Sequence, residues 1–375
     1  ARGLPAWSRV PRARRGRSAD AWPKRRAGAR GLSAEFAVCQ SWKQGPSGFN
    51  LLFAVPRLLV TSKGRTLTVR EKIIIDTDPG IDDAFAIFYA LRSAQFDVLG
   101  LTAVYGNASI EQTTHNALAL VELAGADCPV ARGAGDPLEI ERRAYPTMVH
   151  GEDGMGGFAP TTVAKAAVER HAVDFIIDTV RANPGSVTLV PIGPLTNIAL
   201  ALRKAPDLAS LVKRVVLMGG AAQLNGNVTP AAEANIYDDP HAAEMVFAAD
   251  WEVVMLGLDA THDVHLTRDD VAALARDGGA QGQFLQQASE QYFDFHSDVV
   301  GLDFCHFHDP SALIYCAKPE LFAVQASSVR VVTDGFASGK TIAKPATRFT
   351  GQPGWEDRAR VSVCLSADGP AVRAP

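Results

Sequence analysis

Four aspartates, Asp76, Asp78, Asp82 and Asp83, lie within eight positions in the segment IIIDTDPGIDD, residues 73–83. Carboxylates this close repel one another strongly unless a cation neutralises them. The first two share one side of an extended strand end, and the last two fall in the first turn of a helix, where the dipole favours negative charge. Ordinary turns and caps explain one or two such acids, but not four after a buried strand. Oxygen ligands favour Ca²⁺ or Mg²⁺ over Zn²⁺, so the segment predicts a hard-cation site.

A second polar group, Asn227, Glu233 and Asn235, lies within nine positions after another predicted strand. Amide and carboxylate side chains suit the vicinal hydroxyls of a sugar, which both donate and accept hydrogen bonds. A solvated loop rich in Asn and Gly is the alternative interpretation, and the segment alone does not distinguish the two.

A third group is the segment DFCHFHDP, residues 303–310, in which Asp309 follows His308. The aspartate can supply a further carboxylate to a metal while the imidazole faces a substrate. The alternative is a turn acid before a proline, with a histidine satisfied locally. The Gly-rich run HGEDG, which begins at His150, predicts either a mobile flap or a surface turn.

These residues need elements that bring them together, and strands alternate with helices along the chain. The expected fold class is α/β: one domain with an open, mostly parallel (mixed) sheet and helices on both faces. Ligands of such sheets bind beyond the carboxyl ends of the strands, where the polar residues lie. The patterns predict strands at 72–75, 96–104, 187–192, 213–218, 252–258, 329–333 and 361–365, and helices at 81–92, 110–124, 163–182, 195–204 and 239–248.

The amino-acid composition limits the classes of protein to which this chain can belong. The chain has 375 residues, 47% hydrophobic and 21% charged, as in ordinary globular proteins. No apolar run reaches the roughly 18 residues that a membrane span needs, so no membrane partner is expected. Five scattered cysteines without a CxxC pair favour reduced thiols and a cytoplasmic location.

Charge is unevenly distributed along the chain. Residues 1–30 carry a charge of +9, whereas the whole chain has a net charge of −4. Residues 1–70 lack a sustained period, and we expect them to be a basic N-terminal extension that is disordered or non-native. Residues 71–375 are then expected to form the single folded domain. No nucleic-acid partner is expected for that domain.

Six motifs together resemble the inosine-uridine-preferring nucleoside hydrolase family over roughly residues 72–350. The six motifs occur in the same order as in the family, and the first motif is highly specific for it. In this sequence they read DTDPGIDDA at 76–84, VYGN at 104–107, HGEDG at 150–154, PIGPLTN at 191–197, LMGG with GNVTPAAEAN between 217 and 235, and HDP at 308–310.

The resemblance implies a Rossmann-like nucleoside hydrolase fold and hydrolysis of the N-glycosidic bond of ribonucleosides to a free base and ribose. It implies that Ca²⁺ is held by Asp78, Asp83, the carbonyl of Ile192 and Asp309, with Asp78 also acting as the base on a calcium-bound water. Ribose would contact Asp82, Asn107, Met218, Asn227, Glu233 and Asn235, and we place His150 with the substrate-binding residues. His308 would face the nucleobase and help to protonate it. The family's homodimers or homotetramers predict a homo-oligomer.

Two alternatives come from other classes. A haloacid-dehalogenase-like Mg²⁺ phosphatase also uses DxD after its first strand, but has no use for the Asp82-Asp83 pair or for HDP. A non-catalytic nucleoside- or sugar-binding protein would bind without releasing ribose. The residues leave open the base preference, and also the choice of leaving-group acid between His308 and a neighbour such as His296.

Overall fold

The computed structural model describes residues 70–348 and 351–373. The extension predicted for residues 1–70 therefore lies outside the described residues, apart from Arg70, and the domain division stays a prediction. Among the described helices, none combines the length and the apolar character that crossing a membrane requires.

Strands supply most of the framework for the site. Within the described ranges they are β1 (Glu71–Thr77), β2 (Phe96–Ala103), β3 (Val130–Arg132), β4 (Val187–Pro191), β5 (Arg214–Met218), β6 (Val253–Leu256), β7 (His265–Leu266), β8 (Cys305–His306), β9 (Phe322–Val331), β10 (Thr341–Pro345) and β11 (Val361–Ala367). Nine of them form one sheet, and β7 pairs with β8 as a separate antiparallel ribbon.

The order of the large sheet is β10-β9-β11-β6-β5-β4-β1-β2-β3. Neighbours from β3 to β11 are parallel, whereas β9 runs antiparallel to both β11 and β10. The order 3-2-1-4-5-6 is that of the doubly wound dinucleotide-binding fold, and its direction of winding reverses between β1 and β4. A crevice is therefore expected beyond the ends of these two strands.

Helices connect the strands. In the described part of the chain they are α1 (Ile81–Arg92), α2 (Ile110–Leu123), α3 (Thr147–His150), α4 (Ala172–Ala182), α5 (Thr196–Lys204), α6 (Leu208–Leu211), α7 (Ala234–Asp238), α8 (Pro240–Ala248), α9 (Leu258–Thr261), α10 (Arg268–Asp277), α11 (Gly279–Phe295), α12 (His308–Ala317) and α13 (Gly369–Arg373). A π-helical turn, His296–Val300, extends α11.

Two apolar cores, one on each face of the sheet, hold the helices in place. Ile73 and Ile75 of β1 pack in the core that includes α1, α2, α11 and α12. Ile74 points the other way, into the core with α4, α5 and α8. This alternation is what a strand buried on both faces requires. The predicted α/β class, with a mostly parallel mixed sheet and helices on both faces, is confirmed.

The predicted helix over 163–182 is too long, because α4 begins only at Ala172. The preceding residues are rich in alanine, which favours helix, but tertiary pairing overrides that propensity. The Val168 amide donates to the Val130 carbonyl, and Val168 bridges to Ala131 beside β3. His171 then caps α4 by accepting a hydrogen bond from the Val173 amide.

The strand predicted at 252–258 ends early, since α9 begins at Leu258. The strand predicted at 329–333 starts sooner, as the first residue of β9 is Phe322.

Candidate active site

The end of β1 places the aspartate segment at the reversal point of the sheet. The Ile192 amide, just after β4, donates to the Asp76 carbonyl at 2.8 Å, which fixes the two strand ends together. The Asp76 carboxylate is buried, and its Oδ1 accepts hydrogen bonds from Thr102 Oγ1 and Asn197 Nδ2. Burial raises the pKa of Asp76 to about 7, and these two donors oppose the rise. Asp76 therefore ties together three elements beneath the site.

Three carboxylates, from Asp82, Asp83 and Asp309, have oxygens that all lie within 4.8 Å of one another. Burial raises the pKa of Asp309 well above its usual range, and repulsion from Asp82 and Asp83 adds to the rise. Burial likewise raises the pKa of Asp82 to about 8, with the charge of Asp83 as the next cause. Such a set favours a cation, which would let the carboxylates keep their charge.

Asp78 lies beside this trio and is 2% exposed. Its Oδ2 accepts from the Asn107 amide at 2.8 Å, while its buried Oδ1 has no hydrogen-bond partner. Burial raises the pKa of Asp78 well above its usual range, and the charge of Asp83 is the second cause. A buried carboxylate oxygen without a donor is costly, so it points to a ligand that the site binds.

Two glycines let the backbone approach Asp78 closely. A Cβ on Gly106 would overlap Asp78 Oδ2, and a Cβ on Gly193 would overlap Asp78 Oδ1. Gly106 follows β2 and Gly193 follows β4, so the ends of the strands on both sides of β1 close around this carboxylate. No side chain larger than hydrogen fits at either position without moving it.

Asp83 is fixed by three donors. Its Oδ1 accepts from Thr77 Oγ1 at 2.5 Å, and its Oδ2 accepts from the Gly80 amide at 2.9 Å and Asn107 Nδ2 at 3.2 Å. Asn107 thus binds Asp83 through its side chain and Asp78 through its main chain. The two carboxylates are held in a fixed relation by residues from β1 and from the end of β2.

The residues between β5 and α8 form a second wall. Glu233 caps α7, with its carboxylate accepting from the amides of Gly220, Asn235 and Ile236. Asn235 Nδ2 donates to the Ile192 carbonyl at 2.9 Å and to the Met218 carbonyl at 3.2 Å. This amide therefore connects the ends of β4 and β5.

Asn227 belongs to the same wall: its Oδ1 accepts from the Ala234 amide at 3.1 Å. Asp259 anchors the preceding segment, since its carboxylate accepts from three successive amides, those of residues 222–224. The loop that carries Asn227 is therefore held at both of its ends.

Aromatic and imidazole side chains also line the site. His308 is buried and its Nδ1 lies 2.8 Å from Thr261 Oγ1. Burial and the neighbouring histidines lower the pKa of His308 well below its usual range. The His262 and His306 rings stack with centroids 4.1 Å apart.

His150 also lines the cavity, and its ring stacks on Tyr292 with centroids 5.6 Å apart. Its Nδ1 accepts from the Ile81 amide at 3.2 Å. Burial lowers the pKa of His150 to about 3, so the imidazole is neutral and its proton sits on Nε2.

One cavity of about 370 Å³ joins these walls. Ten of the predicted site residues line it, while Asp78 and Asp83 are buried beneath its carboxylate end. The ten are Asp82, Asn107, His150, Ile192, Met218, Asn227, Glu233, Asn235, His308 and Asp309. The structure thus brings together side chains from sequence positions 78 to 309.

Several residues in and beneath this cavity were not predicted from the sequence. Asn116 and Asn197 are wholly buried amides that bind the loops around the acids. An asparagine on the apolar face of a predicted helix is a signal that could have singled out Asn116. His262 and His306 also line the cavity, and they carry no signal of their own without the fold.

The sheet order and the carboxylate cluster at its reversal point define an α/β enzyme with an acidic small-molecule site. The model of the family described as inosine-uridine preferring nucleoside hydrolase matches residues 73–374. The chain belongs to this family, which confirms the resemblance identified in the sequence.

Curated relatives match over most of their length. A protein named probable uridine nucleosidase 2 from Arabidopsis thaliana is 40% identical over 306 residues, which is 81% of this chain and 95% of that protein. The non-specific ribonucleoside hydrolase RihC of Salmonella enteritidis is 41% identical over 309 residues, 81% of this chain and 96% of its own.

Solved structures match in fold. A plant nucleoside hydrolase superposes with a TM-score of 0.78 at 38% identity, covering 81% of this chain and 96% of its own. A purine-preferring ribonucleoside hydrolase from Gardnerella vaginalis gives 0.74 at 34% identity, covering 80% and 95%.

Proposed function

We propose that this protein hydrolyses the N-glycosidic bond of ribonucleosides and releases the free base and ribose. The observation that carries the proposal is a single cavity lined by buried carboxylates, by amide and carboxylate hydrogen-bonding groups, and by aromatic and imidazole rings. A ribose fits the polar part of such a cavity and a planar base fits the aromatic part.

The carboxylate end fits a calcium ion. All donors are oxygens, as a hard cation requires, and Asp78 Oδ1 is buried without a partner. We assign the ion to Asp78, Asp83, Asp309 and the carbonyl of Ile192, while Asp82 faces the cavity as a sugar ligand. When bound, the ion supplies positive charge that lowers the pKa of water and attracts sugar hydroxyls.

The chain's own groups then divide the reaction between them. Asp78 accepts a proton from the attacking water, whose oxygen bonds to the anomeric carbon as the bond from that carbon to the base nitrogen breaks. Positive charge builds on the sugar in the transition state, and the surrounding carboxylates stabilise it. The bonding electrons leave with the base, which takes up a proton from solvent, and we place His308 as the group that hydrogen-bonds the departing base and assists this proton transfer.

Ribose is held by polar side chains that line the cavity. We assign its hydroxyls to Asp82, Asn107, Asn227, Glu233 and Asn235, with Met218 packing against the ring and His150 closing the cavity. The support for this assignment is that all seven line the same cavity.

The cellular location and the assembly state of the protein are part of the same proposal. Four cysteines in the described residues, Cys128, Cys305, Cys316 and Cys364, are buried free thiols, and we propose a cytoplasmic location and a homodimer or homotetramer. Light scattering of the purified protein tests the assembly state, and a monomeric mass would contradict it.

The activity is tested by incubating the purified protein with purine and pyrimidine nucleosides and measuring released reducing sugar. The Asp78→Asn variant is the control that should be inactive. The Asp334→Asn variant makes the same change on an exposed turn and is the control that should stay active. Phosphate release from sugar phosphates would favour a phosphatase, and tight nucleoside binding without ribose release would favour a binding protein.

A further inference from the structure

The helix α7 carries the sugar-side residue Asn235 but has only five residues. A helix of this length is not stable on its own, because helix nucleation costs more than one turn of hydrogen bonds returns. Contacts with the rest of the fold must therefore set the orientation of α7. Glu233 fixes its first turn, as described above, and the last turn needs a separate anchor.

Arg143 supplies contacts to that last turn. Its guanidinium lies over the Tyr237 ring, 3.6 Å from the centroid, and it forms an ion pair with the Asp238 carboxylate. The two charged side chains are only 29% and 21% exposed, so water screens the pair weakly. The Tyr105 hydroxyl adds a hydrogen bond to the Asp238 carbonyl at 3.1 Å.

Arg143 also connects two walls of the cavity. It lies in the segment between β3 and α3, three residues before Pro146, which lines the cavity together with His150. The other wall contains Glu233 and Asn235. The charge of Arg143 also acts on that wall: burial raises the pKa of Glu233, and Arg143 is among the groups that oppose the rise.

We propose that Arg143 is a positioning residue that orients α7, and with it Glu233 and Asn235, against the sugar of the substrate. This inference rests on the proposed function, because it assumes that these two residues hold sugar hydroxyls. It assigns Arg143 no contact with the substrate. When Arg143 is replaced, we expect the enzyme to discriminate less between a ribonucleoside and its deoxy analogues. The chemistry at the base should be unaffected.

The neighbouring residue offers a matched control. Arg142 makes the same two kinds of contact elsewhere: an ion pair with Asp136 at 3.3 Å, and a guanidinium 4.4 Å above the Tyr145 ring. Arg143→Gln should lower kcat/KM about tenfold, the size expected for losing a shielded ion pair and a cation–π contact. Arg142→Gln should stay within about twofold of wild type, because exposed pairs contribute little.

The decisive readout compares the ribonucleoside that wild type hydrolyses fastest with its 2′-, 3′- and 5′-deoxy analogues. In wild type, removal of a hydroxyl that Glu233 or Asn235 holds lowers kcat/KM. In Arg143→Gln that penalty should shrink for at least one hydroxyl, because the group that recognised it is already displaced. A general loss of stability would instead lower all four rates together and leave their ratios unchanged.

Two more variants keep the test informative if Arg143→Gln folds poorly. Asp238→Asn removes the partner carboxylate, should reproduce the altered ratios, and should be non-additive with Arg143→Gln. Arg143→Lys keeps the charge but not the planar group that stacks on the ring, so it should restore the ratios only in part.

The two levels of failure are distinguishable. A wild-type protein that releases no ribose overturns the proposed function and this inference with it. A wild-type protein that hydrolyses nucleosides, with wild-type ratios in both Arg143→Gln and Asp238→Asn, overturns this inference alone.

Discussion

At the scale of single residues, Asp78 occupies a position that few other side chains could fill. One carboxylate oxygen is held by the Asn107 amide, and the other is buried with no protein partner. Gly106 and Gly193 permit the backbone to close around it. A carboxylate that is fixed on one side and free on the other suits a group that takes a proton from a positioned water.

The first residue-scale prediction is that Asp78→Asn abolishes nearly all turnover. An amide cannot accept the proton, and general-base assistance contributes about 10²–10⁴ in rate. Steady-state kinetics with the best nucleoside measures the loss. Hydrolysis within a few-fold of wild type would show that Asp78 is not the base.

The second residue-scale prediction concerns Gly193. In Gly193→Ala the new methyl group would overlap Asp78 Oδ1 and push the carboxylate out of place. A displacement of about 1 Å costs roughly 100-fold in rate, and we expect a fall in kcat of that order. Gly135→Ala is the control, since its methyl would meet only the Ile110 side chain. Equal kcat values for the two variants would contradict the close approach.

At the scale of elements, buried amides on helices hold the loops around the acids. Asn116 of α2 donates to the Pro79 carbonyl at 3.0 Å and to the Asp153 carbonyl at 2.8 Å. Asp153 in turn accepts from the amides of Met155, Gly157 and Ala159. The turn at Pro79 and the loop that begins at His150 are thereby connected through one side chain.

The Asn116→Leu variant, whose new side chain has a similar shape, should leave both carbonyls without their donor. We expect the free energy of unfolding to fall by about 1–3 kcal/mol per unsatisfied buried group. We also expect a higher KM, because the loop that begins at His150 loosens. Thr114→Val is the control, because it removes a hydrogen bond within α2 only, to the Ile110 carbonyl. Denaturant unfolding and kinetics measure both effects. An Asn116→Leu variant no less stable than the Thr114→Val control would refute this connection.

The sequence predicted elements with strong local patterns and missed those set by tertiary contacts. The β-branched run at 73–75 and the aspartates after it were sufficient to predict β1 and a cluster of carboxylates at its end. The alanines before Ala172 favoured a helix, yet Val168 pairs beside β3 instead. Likewise, no local pattern distinguishes Asp259 from a solvated polar residue, because the three amides that it binds lie 35 to 37 positions away.

At the scale of the whole molecule, the strand order produces the site. The reversal between β1 and β4 opens the crevice, and α12 brings Asp309 to the acids of α1 across more than 200 positions of sequence. Most of the motifs could be predicted to meet because they follow a strand or begin a helix, although HGEDG does neither. The rings of the cavity depend on α9, α11 and β8, which are absent from the elements predicted from the sequence.

The proposed calcium ion, with ligands from α1, from α12 and from the residues just after β1 and β4, should stabilise the entire fold. A ligand at 100 times its Kd adds about 2.7 kcal/mol to the free energy of unfolding, which corresponds to a rise in Tm of roughly 5 °C for a chain of this size. Differential scanning calorimetry with calcium and then a chelator measures the shift. Asp309→Asn should lose most of it, and a Tm that is indifferent to calcium in the wild type would contradict the assignment of the ion.

The most direct test of the central claim is ribose release by the wild-type protein from a panel that includes inosine and uridine, with and without a calcium chelator. The account predicts release from at least one nucleoside, its loss on chelation and its recovery when calcium is restored. No release from any nucleoside, with calcium present and the protein folded, would contradict it.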